Sequence, residues 1–230
     1  MLDFTKFCVL SFDCYGTLIN WEDGIFSALR PILTAHGKTV ADSAVLELYG
    51  ELEAEAEHPP FRPYREVLNS VVRGFGERLG FTTTEAEVRS LPNSLKNWLP
   101  FADTVEALQQ LKNRYQLAII SNVDDDLFAF TQTHLGVAFD HVITAQQAGC
   151  YKPCKKIFDL AESRLGISRE QWLHIGQSIY HDVLPAQSLG IATVWVNRAS
   201  PRQGLGAVKA ALGKPDLEVP NLQTLAQAAT

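Results

Sequence analysis

No segment of the 230-residue chain approaches the roughly 18 consecutive apolar residues needed to cross a bilayer. The N-terminus also lacks the basic-then-apolar pattern of a secretory leader. A cytoplasmic protein with no membrane partner is therefore expected. Positive charge is in short supply as well. Twenty Lys and Arg against 26 Asp and Glu give a formal net charge of -6, which removes the attraction to phosphate backbones that a basic chain would have. A small molecule is expected as ligand and no nucleic acid. Cysteine is scarce, with four residues, Cys8, Cys14, Cys150 and Cys154. A core of this size does not depend on disulfides, and Cys150 and Cys154 have neither CxxC spacing nor a nearby His in sequence, so reduced thiols and no zinc are expected. Gly204-Leu205-Gly206 lacks the third glycine and preceding strand of a dinucleotide fingerprint. Gly176-Gln177-Ser178 lacks the closing glycine of a nucleophile elbow. Nucleotide-dependent redox chemistry and serine hydrolysis are both disfavoured, and no internal repeat is found.

What is present is a series of short apolar runs that stop at small or polar residues. Phe7 to Phe12 ends at Asp13, Leu117 to Ile120 at Ser121-Asn122, Trp172 to Ile175 at Gly176, and Ile191 to Val196 at Asn197. Runs of this length are typical of strands buried on both faces. Their alternation with helix-like segments predicts an α/β fold, a Rossmann-like three-layer core with a parallel sheet. Such sheets gather ligands at the carboxyl ends of their strands. Between about residues 19 and 98 the apolar runs cease. Helical segments at Ala41 to Glu57 and Tyr64 to Leu79 are separated by Pro59-Pro60 and Pro63, which cannot continue a helix. This reads as an inserted helical cap domain, residues 19–98, on a core made of residues 1–18 and 99–230. Pro100 before the helix-like run Phe101 to Asn113 marks the return to the core, and Pro201 to Pro220 reads as a surface connection.

Asp13-Cys14-Tyr15-Gly16-Thr17-Leu18 resembles the first motif of the haloacid dehalogenase superfamily. Ser121-Asn122 resembles its second, Lys152-Pro153 its third, and Gly176 through Asp182 a modified fourth. The motifs occur in the family's order over nearly the whole chain. An attacking carboxylate at Asp13 must stay ionised, which Lys152 and backbone donors of the following turn can achieve. Gly16 permits the turn. Thr17 and Ser121 can orient carboxylates by hydroxyl hydrogen bonds.

Phosphatases of the superfamily carry a second Asp two residues after the nucleophile and open the fourth motif with a magnesium-binding Asp. Here Tyr15 and Gln177 stand at those places. A phenol with an ordinary pKa of about 10 is a poor acid, and a neutral amide is a weak magnesium ligand. The form Asp-x-Tyr-Gly-Thr instead resembles the type II 2-haloacid dehalogenases, which need no cofactor. That resemblance implies attack by Asp13 on the halogen-bearing carbon and an ester opened by water that Asp182 helps activate. It also implies that Lys152 stabilises both carboxylates and that Asn122 contributes to a halide cradle. His181 either shares the activation of water or is a helix-start histidine. Ser178 and Tyr180 fall where the family has polar or aromatic pocket residues, and Tyr15, Gln177 and Ser178 are candidates for substrate binding. The arginine that the dehalogenases carry early in the cap has no counterpart, since Leu48, Tyr49 and Gly50 occupy that neighbourhood. Arg62 and Arg65 are the nearest replacements for binding a substrate carboxylate, or else surface residues. Trp21, Phe61, Tyr64 and Trp98 are candidate pocket walls. The resemblance thus implies hydrolytic dehalogenation of a small 2-haloacid, in a possible homodimer. The alternatives are a magnesium-dependent phosphatase and a noncatalytic binding protein that kept the fold.

Overall fold

The structure, a computed structural model, describes residues 2–198, 207 and 211–229. A sheet of six strands runs in the order β3-β2-β1-β4-β5-β6, and every neighbouring pair is parallel. The strands are β1 (Val9–Phe12), β2 (Gln116–Ser121), β3 (His141–Thr144), β4 (Trp172–Gly176), β5 (Ala192–Val196) and β6 (Leu217–Val219). Strand side chains alternate between faces, and the core divides accordingly. Leu10, Phe12, Leu117 and Ile119 enter one apolar layer with α6 (Thr104–Lys112), α7 (Asp125–Gln132) and α11 (Leu222–Ala229). Val9, Ala118 and Ile120 enter the other, against α9 (Lys156–Leu165) and α10 (Leu184–Ser188). The three-layer α/β core expected from the apolar runs is the one observed.

Between β1 and Pro100 the regular structure is helical: α1 (Trp21–Ala35), α2 (Asp42–Ala56), α3 (Tyr64–Leu79), α4 (Glu85–Val88) and α5 (Ser90–Ser94), then a short 3-10 turn. Helix α2 ends at Ala56 with Glu57 as its C-cap, and α3 begins at Tyr64, so the proline-rich stretch breaks the helix where the sequence indicates. One four-residue helix, α8 (Ala145–Ala148), follows β3.

Two strands carry no strong sequence signal. Strand β3 sits at one edge and is only half covered, so His141 interrupts its apolar pattern. Strand β6 has three residues and lies within the stretch expected to be a surface connection, which is therefore wrong for 217–219. The rest of that connection is described only at Ala207 and from 211 onward, and Gly204-Leu205-Gly206 lies outside the described residues.

Candidate active site

Parallel strands end on the same edge of the sheet, and β1, β2 and β4 deliver Asp13, Ser121 and Gly176-Gln177 there. The Asp13 N–H still donates to the Ile175 carbonyl at 2.9 Å, so the nucleophile candidate is fixed by the ladder itself. The chain then turns through Gly16, whose φ of 89° lies in the left-handed region that favours glycine. A Cβ there would also crowd the Trp21 indole at 3.1 Å and the Gln177 amide at 3.3 Å. The turn brings the Thr17 hydroxyl back to donate to Asp13 Oδ2 at 2.8 Å. Thr17 Oγ1 in turn accepts the Gln177 N–H at 2.9 Å, tying the loops after β1 and β4 together. Arg198 secures this loop from outside, donating to the Thr17 carbonyl at 2.9 Å while paired with Asp103.

Lys152 is the centre of the arrangement. Its fully buried ammonium donates to Asp13 Oδ1 at 2.8 Å, Asp182 Oδ1 at 2.7 Å and the Ile120 carbonyl at 2.9 Å. All three hydrogens are used. Burial works against the charge, but the two carboxylates outweigh it and hold the Lys152 pKa above the ordinary lysine range. Burial also works against ionised Asp182, yet Lys152 and His174 together bring its pKa below the usual carboxylate range. For Asp13 burial prevails: helped by the charge of Asp182, it outweighs Lys152 and raises the pKa. Asn122 explains how Lys152 is aimed. Its Oδ1 accepts the Lys152 backbone N–H at 2.7 Å and its Nδ2 donates to the Lys152 carbonyl at 3.3 Å. Asn122 lines the pocket, but both ends of its amide are engaged in this support.

Behind Asp182 lies a buried relay absent from the sequence reading. His174 meets Asp182 Oδ1 at 3.1 Å through Nε2 and Ser11 Oγ at 2.8 Å through Nδ1, while the Trp172 indole donates to Ser11 at 2.7 Å. A polar residue facing inward from each of two apolar strands was the available signal. Gly176 leaves room for Asp182, since a Cβ there would fall 2.4 Å from the carboxyl carbon.

A cavity of about 60 Å³ opens in front of Asp13, also lined by Tyr15, Ser121, Gln177, Ser178 and His181. Ser121 Oγ is buried without a hydrogen-bond partner. Ser178 Oγ accepts the His181 N–H at 3.0 Å and sits 3.2 Å from its Nδ1, placing that ring at the cavity edge. The Tyr15 hydroxyl points to Thr131 Oγ1 at 2.8 Å, and burial raises its pKa well above the ordinary phenol value. That shift makes it a poorer acid than a free phenol.

The two arginines go elsewhere. Arg62 donates to the Ala56 carbonyl at 2.7 Å and to Ser70, and Arg65 forms a surface ion pair with Asp126 at 2.6 Å. Neither lines the cavity, because α2 and α3 offer Arg62, and α7 offers Arg65, nearer acceptors. The helical segment contributes acids instead. Glu53 and Glu57, one helical turn apart, both line the cavity beside Trp21 and Tyr64. Glu53 Oε1 accepts the Tyr49 and Tyr64 hydroxyls at 2.9 and 2.5 Å. Burial raises the pKa of both glutamates, and the charge of Glu53 adds to the rise at Glu57. Their spacing on one face of α2 was legible, but not where that face points. Of the expected aromatic walls, Trp21 and Tyr64 line this cavity, Phe61 borders a neighbouring one, and Trp98 is buried with its ring edge-on to Tyr15 at 5.9 Å.

Comparison with known proteins matches residues 9–190 to the haloacid dehalogenase-like hydrolase family. An (S)-2-haloacid dehalogenase H-109 of Pseudomonas putida is 27% identical over 195 residues, 81% of this chain and 84% of that protein. A glyceraldehyde 3-phosphate phosphatase of Methanothermobacter thermautotrophicus is 33% identical over 101 residues, 43% of this chain and 45% of that protein. The L-2-haloacid dehalogenase of Xanthobacter autotrophicus superposes with a TM-score of 0.78 at 19% identity, covering 96% of this chain and 97% of that one. Its structure with chloropropionic acid covalently bound superposes equally well, at 0.78.

Proposed function

This chain belongs to the haloacid dehalogenase-like hydrolases, and we propose that within the family it dehalogenates small 2-haloacids, the haloacetate and 2-halopropionate class, without a metal. The observation that carries this reading is the Lys152 ammonium bonded to both Asp13 and Asp182. In that arrangement a cation that never leaves the protein aims the carboxylate nucleophile and opposes the burial that favours its neutral form.

The residues fit magnesium poorly. The two carboxylates share one ammonium, position 177 supplies a neutral amide, and no group of three or more His, Cys, Asp or Glu side chains among the described residues could hold a metal ion. Tyr15, a phenol whose pKa burial raises, is a poor acid for a phosphate leaving group. The partial match to a phosphatase therefore finds no corresponding machinery here.

In the proposed reaction an Asp13 oxygen attacks the halogen-bearing carbon. The C–O bond forms as the carbon–halogen bond breaks, and halide leaves with the bonding pair. The resulting ester is opened by water at the Asp13 carboxyl carbon, which restores the carboxylate and releases the 2-hydroxy product and a proton. Asp182, held by Lys152, His174 and the Ser178 N–H, stands where it can orient that water, with His181 at the cavity edge to receive the proton. Thr17 steadies Asp13 during both steps, and Ser121 is free to donate to the substrate's acyl oxygen. The helical segment, residues 19–98, acts as the cap that closes the cavity and excludes water from the attacking carboxylate.

The test is halide release from chloroacetate, 2-chloropropionate and fluoroacetate in EDTA, beside phosphate release from p-nitrophenyl phosphate with magnesium. Halide release that survives EDTA and is lost in Asp13→Asn supports the reading. Phosphate release without halide release refutes it.

A further inference from the structure

On the sheet face covered by α9 and α10, two polar side chains stand opposite one another inside the apolar layer. Ser11 of β1 and His174 of β4 are register partners in the parallel ladder. Their side chains leave the sheet on the same face as Trp172, which precedes His174 on β4. All three are buried, and the Phe158 ring of α9 stands edge-on to the imidazole at 5.1 Å. Polar groups sealed in such a layer cost stability unless each finds a partner. Here they do so in one line: Trp172 Nε1 meets Ser11 Oγ at 2.7 Å, Ser11 Oγ meets His174 Nδ1 at 2.8 Å, and His174 Nε2 meets Asp182 Oδ1 at 3.1 Å.

The two ends of this line fix the hydrogens within it. An indole nitrogen only donates, and an ionised carboxylate only accepts. Ser11 therefore accepts from Trp172 and gives its own hydrogen to Nδ1, and His174 carries its ring proton on Nε2, facing Asp182. An imidazolium protonated on both nitrogens would leave the buried Ser11 hydrogen with no acceptor, since Ser11 Oγ has no other partner among the described residues. The neutral Nε2–H form satisfies every group. At the far end, Lys152 and His174 both donate to Asp182 Oδ1, at 2.7 and 3.1 Å. Oδ2 is left with one long bond, from the Ser178 N–H at 3.3 Å, and has capacity to accept another hydrogen.

We propose that Trp172, Ser11 and His174 form a one-way relay of hydrogen bonds that positions Asp182 for the second step of the reaction, with Oδ2 as the base that takes a proton from water. His174 is thus a positioning residue, and its role rests on the carbon–halogen reading of Asp13. As the water oxygen bonds to the Asp13 carboxyl carbon, one of its protons passes to Oδ2. The bond from that carbon to the alkyl oxygen then breaks. The departing alkoxide takes the proton from Oδ2 to become the 2-hydroxy acid, and the proton left on Asp13 is released. No proton travels inward, because Nε2 already holds a hydrogen and the relay ends at an indole that cannot accept one. The first step, attack by Asp13 on carbon, uses Asp13 with its supports Thr17 and Lys152 and makes no demand on the relay.

The experiment follows 2-chloropropionate through a first turnover and the steady state with the intact protein, His174→Phe, His174→Gln and Ser11→Ala. Phenylalanine keeps a ring against Phe158 and removes both nitrogens, whereas glutamine returns a donor toward Asp182. In His174→Phe the steady-state kcat is expected to fall about 10- to 100-fold, the weight of one hydrogen bond to a charged group, while first-turnover halide release stays within about threefold. The ester then accumulates on Asp13 and is seen as added mass on the intact protein. His174→Gln recovers kcat to within about tenfold of the intact protein, and Ser11→Ala, which loses the group that fixes the tautomer, falls between the two histidine variants. NMR of the ring nitrogens in the intact protein at neutral pH shows His174 protonated on Nε2 and bare on Nδ1. Should His174→Phe fail to fold, His174→Gln and Ser11→Ala carry the same comparison of first turnover with steady state. Variants with unchanged kcat overturn this inference alone, as does halide release that slows as much as kcat in the first turnover, or a ring protonated on Nδ1. An intact protein that releases no halide overturns the carbon–halogen reading and the step assigned to His174 with it.

Discussion

Replacing Lys152 by Met keeps the length of the side chain and removes the charge between Asp13 and Asp182. With the ammonium 2.8 and 2.7 Å from the two carboxylates, each attraction amounts to about 6 kcal/mol at an effective dielectric of about 20. Much of that is offset in the native protein by the cost of burying three charges. In the variant one carboxylate can take up a proton, so the net loss at neutral pH is expected at about 3–5 kcal/mol. With a urea m-value of about 3 kcal/mol/M, the unfolding midpoint falls by roughly 1–1.7 M. The pH dependence identifies the cause. In the native protein Asp182 has a depressed pKa, so it contributes stability above its unfolded value of about 3.9 and loses it as pH falls, while Asp13, with a raised pKa, opposes this as pH rises. In the variant both carboxylates have raised pKa values. Their contribution is present below about pH 3.9 and is lost as pH rises through the folded values. The stability gap between the two proteins should therefore widen from about pH 4 to pH 7. Urea titrations followed by tryptophan fluorescence at several pH values measure it. A variant with an unchanged midpoint, or a gap that narrows with rising pH, would refute the ammonium's role in bridging the two carboxylates.

Three further substitutions probe the surroundings of Asp13. Thr17→Val removes the donor to Asp13 and the acceptor for the Gln177 N–H; kcat for halide release should fall about 10- to 100-fold and stability by about 1–3 kcal/mol, measured by kinetics and denaturation in parallel. Tyr15→Phe loses only the bond to Thr131, so a cost of about 1 kcal/mol in stability and less than about a tenfold change in kcat are expected; a hundredfold loss would mean that the phenol takes part in the chemistry. Gly176→Ala forces a methyl group to 2.4 Å from the Asp182 carboxyl carbon, and overpacking of about 1–3 kcal/mol should accompany loss of most turnover. Circular dichroism checks that the Gly176 variant remains folded, because a folded variant with full activity would remove Asp182 from the reaction.

The strands that matter most were the most legible. Val9–Phe12 and Trp172–Gly176 are buried on both faces, which demands an apolar run that a single sequence displays. The break between α2 and α3 was equally plain, because proline's missing N–H acts locally. Strand β6, with three residues, carries too little sequence for any periodicity to register. At the site, Asp13, Thr17, Ser121, Lys152 and Asp182 were identifiable from motifs at strand ends, and the fold gathers them. Arg62 and Arg65 were not separable from surface or binding roles, since an arginine's partner is fixed by whichever acceptor lies within reach of its long side chain. The same limit hid His174, whose partners are one residue on its own strand's loop and one on the neighbouring strand.

By itself the sequence determined that a carboxylate stands at the end of a buried strand, followed by a glycine turn and a hydroxyl, with an amide and a phenol where a metal ligand and an acid would otherwise be. Those are properties of local order along the chain, and backbone geometry transmits them directly. Only the tertiary structure decided what surrounds that carboxylate. It spent all three hydrogens of Lys152, committed Asn122 to the lysine's backbone, sent the arginines outward and turned Glu53 and Glu57 inward. The charge of a pocket is a sum over segments distant in sequence, and it exists only once the helical segment has packed over the sheet.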